Sequence, residues 1–347
     1  MKAYEIQDFA QTGKLRLVDR PVPPPPGPGQ ALVRIRATGL NARDLSIMRG
    51  LQFGQTVAPT RIPLSDNAGD VIAVGAGVTH VKPGDRVTMT HYWRWLDGNW
   101  DVSMRAEDFA LTLDGFLVEQ AIVPAAPLIR LPDSISHEEA ATLQSAGLTA
   151  WNAVVESGGV KAGQTVVTTG TGGVSVFCMQ WAKMLGARVI VTSSSDDKIA
   201  RVKALGADDG INYRTTPLWA KAVMDLTGGR GADIVVNNVG MSEVDQCLES
   251  CVSGGRVMYV GANAVAPDRK DPVPQPLTRL PLLIIRDLTL KGVIVGSRAM
   301  FVNLLTQMAA NKVQPVIDRI YDFEQVNDAI AYMAGGDKIG KVIIRVQ

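Results

Sequence analysis

Three kinds of hydrophobic spacing follow one another along this chain. Up to about residue 126, apolar and polar side chains alternate in short runs, such as Ala31 to Ala37 and Gly69 to Val74, cut by turns that include Lys82 to Asp85. That spacing predicts a β-rich, barrel-like domain over 1–126. From 127 to 299, unbroken apolar runs alternate with stretches at helical spacing, and 165–169, 188–192, 233–237, 256–260 and 289–295 are the strand candidates. Strands apolar on both faces and separated by helices imply a doubly wound parallel sheet. The last zone, 300–347, predicts a helix, a strand from Pro315 to Asp318, a helix from Phe323 to Met333 and a final strand from Lys341 to Val346 that pairs back into the first domain. The expected fold class is α/β, in two domains.

One junction in the middle zone carries chemistry. The strand Gln164 to Thr169 runs into Gly170, Gly172, Gly173, Val174 and Ser175, after which Val174, Phe177, Cys178, Trp181 and Leu185 recur at helical spacing until Gly186. A second strand, Ala187 to Thr192, follows. A glycine turn between strand and helix lets backbone N–H groups approach a pyrophosphate, which a side chain at Gly170 or Gly172 would obstruct. The unit therefore predicts a dinucleotide site. Where a site selective for NAD carries an acidic residue, this chain has Ser193, Ser194 and Ser195, and Lys198 and Arg201 open the next helix. NADP(H) is favoured over NAD(H) on that ground, although Lys198 and Arg201 also suit a solvated helix face beside Asp196 and Asp197.

Composition narrows the partners. The chain has 35 basic and 34 acidic side chains in 347 residues, so it has no bias toward nucleic acid or an anionic membrane. A small-molecule substrate is expected instead. Three cysteines, 178, 247 and 251, make no disulfide framework. The N-terminus lacks the apolar run of a signal peptide, and no stretch approaches twenty apolar residues. A soluble, cytoplasmic protein is expected. Ser136 to Glu139 reads as a helix capping box.

Ordered matches along the whole chain resemble the medium-chain dehydrogenase/reductases. They are Gly39 to Asp44, Pro63 to Val71, Lys82 to Val87, Ala140 to Trp151, the glycine loop, Gly210 to Arg214, and Gly340 to Val342. The resemblance implies a GroES-like catalytic domain interrupted by a Rossmann domain (127–299), the active site in the cleft between them, and a homodimer. Asn41, Ser65 and Ser145 stand where zinc-dependent members carry Cys, His and Cys, and 91–100 lacks the four cysteines of their structural zinc. The chain is thus similar to the zinc-free branch, the quinone oxidoreductase-like and enone reductase-like enzymes. In that branch Asn41 and Asp44 line the nicotinamide region and Thr149 lies beside the nicotinamide. Ser193, Lys198 and Tyr213 hold the 2′-phosphate. Asn238 and Gly261 count with the cofactor-binding residues, beside Gly170, Gly172, Gly173 and Val174. Cys247 and Cys251, four apart with no nearby His, read as packing residues.

Without a Lewis acid, substrates that delocalise the incoming charge are favoured, so the expectation is NADPH-dependent reduction of a quinone or an α,β-unsaturated carbonyl. The Asn41 amide or backbone N–H groups would hold the resulting anion. His91 or Tyr92 are the side-chain candidates for the proton donor, with solvent as the default. Trp93, Trp95 and Trp100 suit a flat apolar substrate or, equally, packing. Two other readings stay open: a dehydrogenase of simple alcohols or ketones, and a non-catalytic NADPH-binding or redox-sensing protein.

Overall fold

The computed structural model describes residues 1–7, 9, 15–52, 54–261 and 277–346. The chain divides into two compact units. The first comprises Met1–Leu148 and Gly296–Gln347, the second Thr149–Val295.

The first unit is built around the strand Gln30–Leu40, whose apolar residues are buried nearly throughout. That burial follows from its neighbours. It pairs antiparallel with Ala68–Val74, with Gln120–Pro124 and, through Ala37 to Leu40, with the final strand Lys341–Arg345. The return of the chain's last strand into the first domain is therefore observed. Ile317–Asp322 lies parallel outside it, while Arg86–Thr88 and Ile129–Arg130 extend the opposite edge. Ile35, Leu40, Ile47, Leu64, Phe116, Val342 and Ile344 meet in the core. Residues 127–148 go with this unit rather than with the next. Ile129–Arg130 completes the sheet, and the Ser136 box caps His137–Ala140, with Glu139 N–H donating to Ser136 Oγ (3.1 Å) and Ser136 N–H to Glu139 Oε2 (2.7 Å).

In the second unit six parallel strands run Asp209–Asn212, Arg188–Ser193, Thr165–Thr169, Ala232–Asn237, Cys251–Tyr259 and Thr289–Gly292 across the sheet. The chain order reverses between Thr165–Thr169 and Ala232–Asn237. In such sheets that point is where ligands bind. Both central strands are buried at every residue, which is why they read as unbroken apolar or Thr-rich runs. Asp209–Asn212 is absent from the sequence-predicted strands because an edge strand needs few apolar residues. Ile211 alone is buried in it. The helix Gly173–Met184 buries Val176, Phe177, Cys178 and Trp181, whereas Val174 and Leu185 lie at its ends and are only partly covered. Gly186 stops it at φ +79°.

Gly39 is a point where backbone and packing leave no latitude. A Cβ there would stand 2.3 Å from Ala141 O and 2.8 Å from Asp66 Oδ2. Gly39→Ala should lower stability by ~1–3 kcal/mol in urea denaturation, the range of overpacked cores; a variant as stable as the parent would show that the strand can move aside.

Candidate functional site

Two groups of residues gather the candidate chemistry, one in each unit. In the first, the helix Ala42–Met48 starts at Asn41, directly beyond the central strand. Asp44, at the third helical position, accepts the Asn41 backbone N–H at 2.7 Å through Oδ2. This carboxyl is fully buried and its Oδ1 has no partner. Burial pushes its pKa up to about 7, against the lowering pull of Arg43 and Lys341 and with Asp66 adding to the rise.

The Asn41 side chain is engaged by a lysine from the other end of the chain. Antiparallel pairing of Val342 with Leu40 brings Lys341 beside Asn41. Lys341 Nζ donates to Leu40 O (2.7 Å), Asn41 Oδ1 (2.6 Å) and Asp66 Oδ2 (2.9 Å). The ion pair is buried, at 2% and 0% side-chain exposure. Asp66 Oδ1 accepts the backbone N–H of Ser145 at 3.0 Å, which lies in the π-helical turn Leu143–Gly147. The Asn41 amide nitrogen donates to Gly39 O at 3.4 Å.

A second charged pair stands alongside. Arg43 Nη2 donates to Asp108 Oδ2 at 2.7 Å and its Nη1 to Ser65 Oγ at 3.2 Å. Ser65 Oγ is 3.4 Å from Ser145 Oγ, which is 3.5 Å from His91 Nδ1. His91 is buried, and desolvation first, then the Arg43 charge, holds its pKa well below the usual value, so the ring is neutral. Tyr92 is buried, and that burial with the nearby Asp108 charge raises its pKa. Asn41, Asp44, His91 and Tyr92 thus belong to one polar cluster, with Tyr92 bridged to Asp108 through the backbone. Trp95 is buried and donates its indole N–H to Gly98 O (3.0 Å), and Trp100 packs on both Tyr92 and Trp95. These rings pack on one another, and Arg94 lies over Trp93.

In the second unit the glycine loop sits at the reversal point of the sheet. Gly170 takes φ +86°, which favours glycine, and a Cβ at Gly172 would meet nothing within 4 Å. Space is therefore open on the ligand side of the loop. The helix Gly173–Met184, with Val174 in its first turn, has no side-chain cap at Gly172, so that turn presents N–H groups to an anion. Ser175 takes a structural part, donating to Thr169 O at 2.8 Å. Asn238 braces the loop, its backbone N–H on Thr169 Oγ1 (2.8 Å) and its amide on Ser175 Oγ (3.0 Å) and Thr168 Oγ1 (3.1 Å). Gly261 packs flat on Asn238, since a Cβ would fall 2.3 Å from the Asn238 carbonyl carbon. Ser193 ends its strand buried, and its carbonyl accepts the Tyr213 N–H at 3.0 Å. The Tyr213 ring is 39% exposed and Lys198 half-buried near the start of Asp196–Ala204. Thr149 is buried at the beginning of this unit.

Sequence reasoning passed over Lys341, Asp66, Arg43 and Asp108. Arg43, Asp66 and Lys341 lay inside the matched stretches, and a Lys at the start of an apolar strand is a signal for a buried partner. Cys247 and Cys251 are buried, with Cys251 Sγ on Cys247 O (3.2 Å), and burial raises both thiols, Cys251 to about 12. Among the described residues, no group of three or more His, Cys, Asp or Glu stands together as a metal site. No helix among them is long and apolar enough to cross a membrane.

Comparison with known proteins matches residues 27–133 to the alcohol dehydrogenase GroES-like domain and 173–311 to the zinc-binding dehydrogenase family. A zinc-type alcohol dehydrogenase-like protein of Schizosaccharomyces pombe is 35% identical over 99% of this chain and 97% of its own length. A candidate alcohol dehydrogenase from Sinorhizobium meliloti 1021 superposes with TM-score 0.88 at 36% identity, covering 100% of this chain and 99% of that one. The structure of an NAD-dependent alcohol dehydrogenase gives TM-score 0.86 at 31% identity, with 100% of each chain covered.

Asp44 makes stability depend on pH. Its folded pKa of about 7 lies above the ordinary aspartate value of ~3.9, so between those limits the folded chain keeps a proton that the unfolded chain has released. Relative to Asp44→Asn, the native protein should lose up to a few kcal/mol as pH rises from about 4 to 7 and change little beyond. Urea midpoints at intervals across that range measure it, and parallel profiles for the two proteins would contradict it.

Proposed function

The chain belongs to the medium-chain dehydrogenase/reductase superfamily and is an alcohol dehydrogenase-like oxidoreductase, and from that membership we propose that it transfers hydride from NADPH to a quinone or an α,β-unsaturated carbonyl without a metal. The observation that carries this reading is the set of side chains at the positions of the catalytic zinc ligands. Asn41, Ser65 and Ser145 offer an amide and two hydroxyls in place of thiolate and imidazole. Two cations hold these groups: the Lys341 ammonium sits 2.6 Å from Asn41 Oδ1 and the Arg43 guanidinium 3.2 Å from Ser65 Oγ. A divalent ion there would meet no anionic sulfur, and the nearest carboxylates, Asp66 and Asp108, are already paired with Lys341 and Arg43. The residues do not fit zinc.

The second unit suits the cofactor. Open space at Gly172, an uncapped helix start and the Asn238–Gly261 brace favour a bound pyrophosphate. When bound, the reduced nicotinamide supplies the hydride. The chain's own part is to bind and orient, and to hold the charge that appears on the acceptor. Neutral His91, 3.5 Å from Ser145 Oγ, has a ring N–H to offer, and solvent is the other proton source. Ser193 in place of an acidic residue, with Lys198 near the helix start, supports NADPH over NADH. The names of the relatives favour a second reading, oxidation of simple alcohols.

Purified protein should consume NADPH with enones or quinones and hold no stoichiometric zinc by metal analysis; rapid oxidation of a simple secondary alcohol with bound zinc would overturn the proposal. Lys198→Ala/Arg201→Ala should raise the KM for NADPH roughly tenfold, the equivalent of about 1.4 kcal/mol, and leave that for NADH unchanged. Equal effects on both coenzymes would argue for a solvated helix face.

A further inference from the structure

The disagreement with a metal raises the question of which group meets the developing negative charge, and here we infer that the Arg43 guanidinium is a catalytic residue that holds the acceptor's carbonyl oxygen as it becomes an enolate. The inference rests on the hydride-transfer reading above. Asn41, assigned that task from the sequence, keeps one amide N–H beyond its 3.4 Å bond to Gly39 O, but that donor is neutral, and a charged donor holds a developing oxyanion more strongly. Lys341 itself has all three N–H bonds committed, to Leu40, Asn41 and Asp66. The Tyr92 hydroxyl is buried with the Asp108 charge nearby, which makes it a reluctant acid. Arg43 is different. A guanidinium has five N–H donors, and Arg43 commits one to Asp108 and one to Ser65. Its side chain keeps 14% exposure where Asp108 keeps 2%, and none of its nitrogens is among the sealed, unpartnered polar atoms. Donors therefore remain within reach of a ligand, next to Ser65 and, through it, Ser145 and His91.

Charge bookkeeping selects the kind of substrate. Asp108 already neutralises Arg43, at 2.7 Å. A permanent carboxylate would place two anions on one buried cation, whereas a carbonyl arrives neutral and draws on the guanidinium as charge reaches its oxygen. That is stabilisation of the transition state in preference to the ground state. With a reduced nicotinamide bound, its C–H bond would break as hydride forms a C–H bond at the substrate β-carbon, the C=C pair shifting to the Cα–C bond and the C=O π pair moving onto the oxygen that Arg43 holds. Water then protonates Cα, the C=O bond re-forms, and the oxidised nicotinamide leaves. NADPH and H⁺ are consumed for each C=C reduced. Neutral conjugated carbonyls are the substrate class, in preference to unsaturated acids.

The test compares the parent with Arg43→Met and with Arg43→Met/Asp108→Asn, the second leaving no unpaired buried charge. With a neutral enone, kcat should fall about 10²–10³-fold while KM and the NADPH Kd change by less than about threefold, as for loss of an oxyanion donor. Arg43→Ala should be partly rescued by guanidinium chloride and not by sodium chloride. A readout that needs neither turnover nor cofactor titrates a nitrophenol against the protein alone: the parent should lower the bound phenol's pKa, seen as phenolate absorbance, and both Met variants should not. Unchanged kcat, or unchanged phenol ionisation, in the charge-balanced variant would overturn the role of Arg43. If the parent itself reduces no enone or quinone, the hydride-transfer reading fails, and the phenol titration still decides whether Arg43 holds an oxyanion.

Discussion

The buried pair between Lys341 and Asp66 is the contact on which the first unit's chemistry depends. It ties the last strand of the chain to a loop 275 residues earlier, and each partner carries further bonds that fix Asn41 and the Ser145 turn. Removing one member of such a pair strands a charge in the core, typically at a cost of about 3–5 kcal/mol. Geometry around it is correspondingly strict. Gly39 has no side chain because Asp66 Oδ2 and the Ala141 carbonyl occupy the space a Cβ would fill. The GroES-like sheet thus serves as a frame that holds a buried cation beside Asn41.

A second pair, Arg43 with Asp108, completes the balance. Two cations face two buried carboxylates, and Asp44, third in the row, is pushed toward its neutral form because its burial outweighs the pull of Arg43 and Lys341. His91 stays neutral for the mirror-image reason, being buried next to a guanidinium. The hydroxyls of Ser65 and Ser145 fill the space between, neutral and able to donate or accept. The cluster thus offers fixed hydrogen-bond donors in surroundings of low dielectric, where such donors act more strongly than in water.

The second unit follows from a different constraint. Parallel strands must be covered on both faces, and the strand order has to reverse once for the chain to supply helices to each side. That reversal opens a gap beside Thr165–Thr169, and the Gly170 turn with the uncapped helix after it lies there. Asn238 and Gly261 come from the strands across the reversal and close the floor of the loop by direct contact.

Local residue chemistry was enough for the class of fold, the glycine loop and the Ser136 cap, because these depend on spacing, turn preference and side-chain type, which are properties of neighbours along the chain. Edge strands such as Asp209–Asn212 escaped, since with one covered face they need only Ile211 buried. The assignment of residues 127–148 to the first unit also lay beyond the reach of pattern, being settled by the pairing of Ile129–Arg130 with Arg86–Thr88. Above all, the partners of Asn41 were decided in three dimensions. Lys341 is 300 residues away in sequence, and only antiparallel register brings its ammonium to the amide. Burial then sets which charges pair and which carboxyl holds its proton, because desolvation is a property of the surrounding fold and not of the residue.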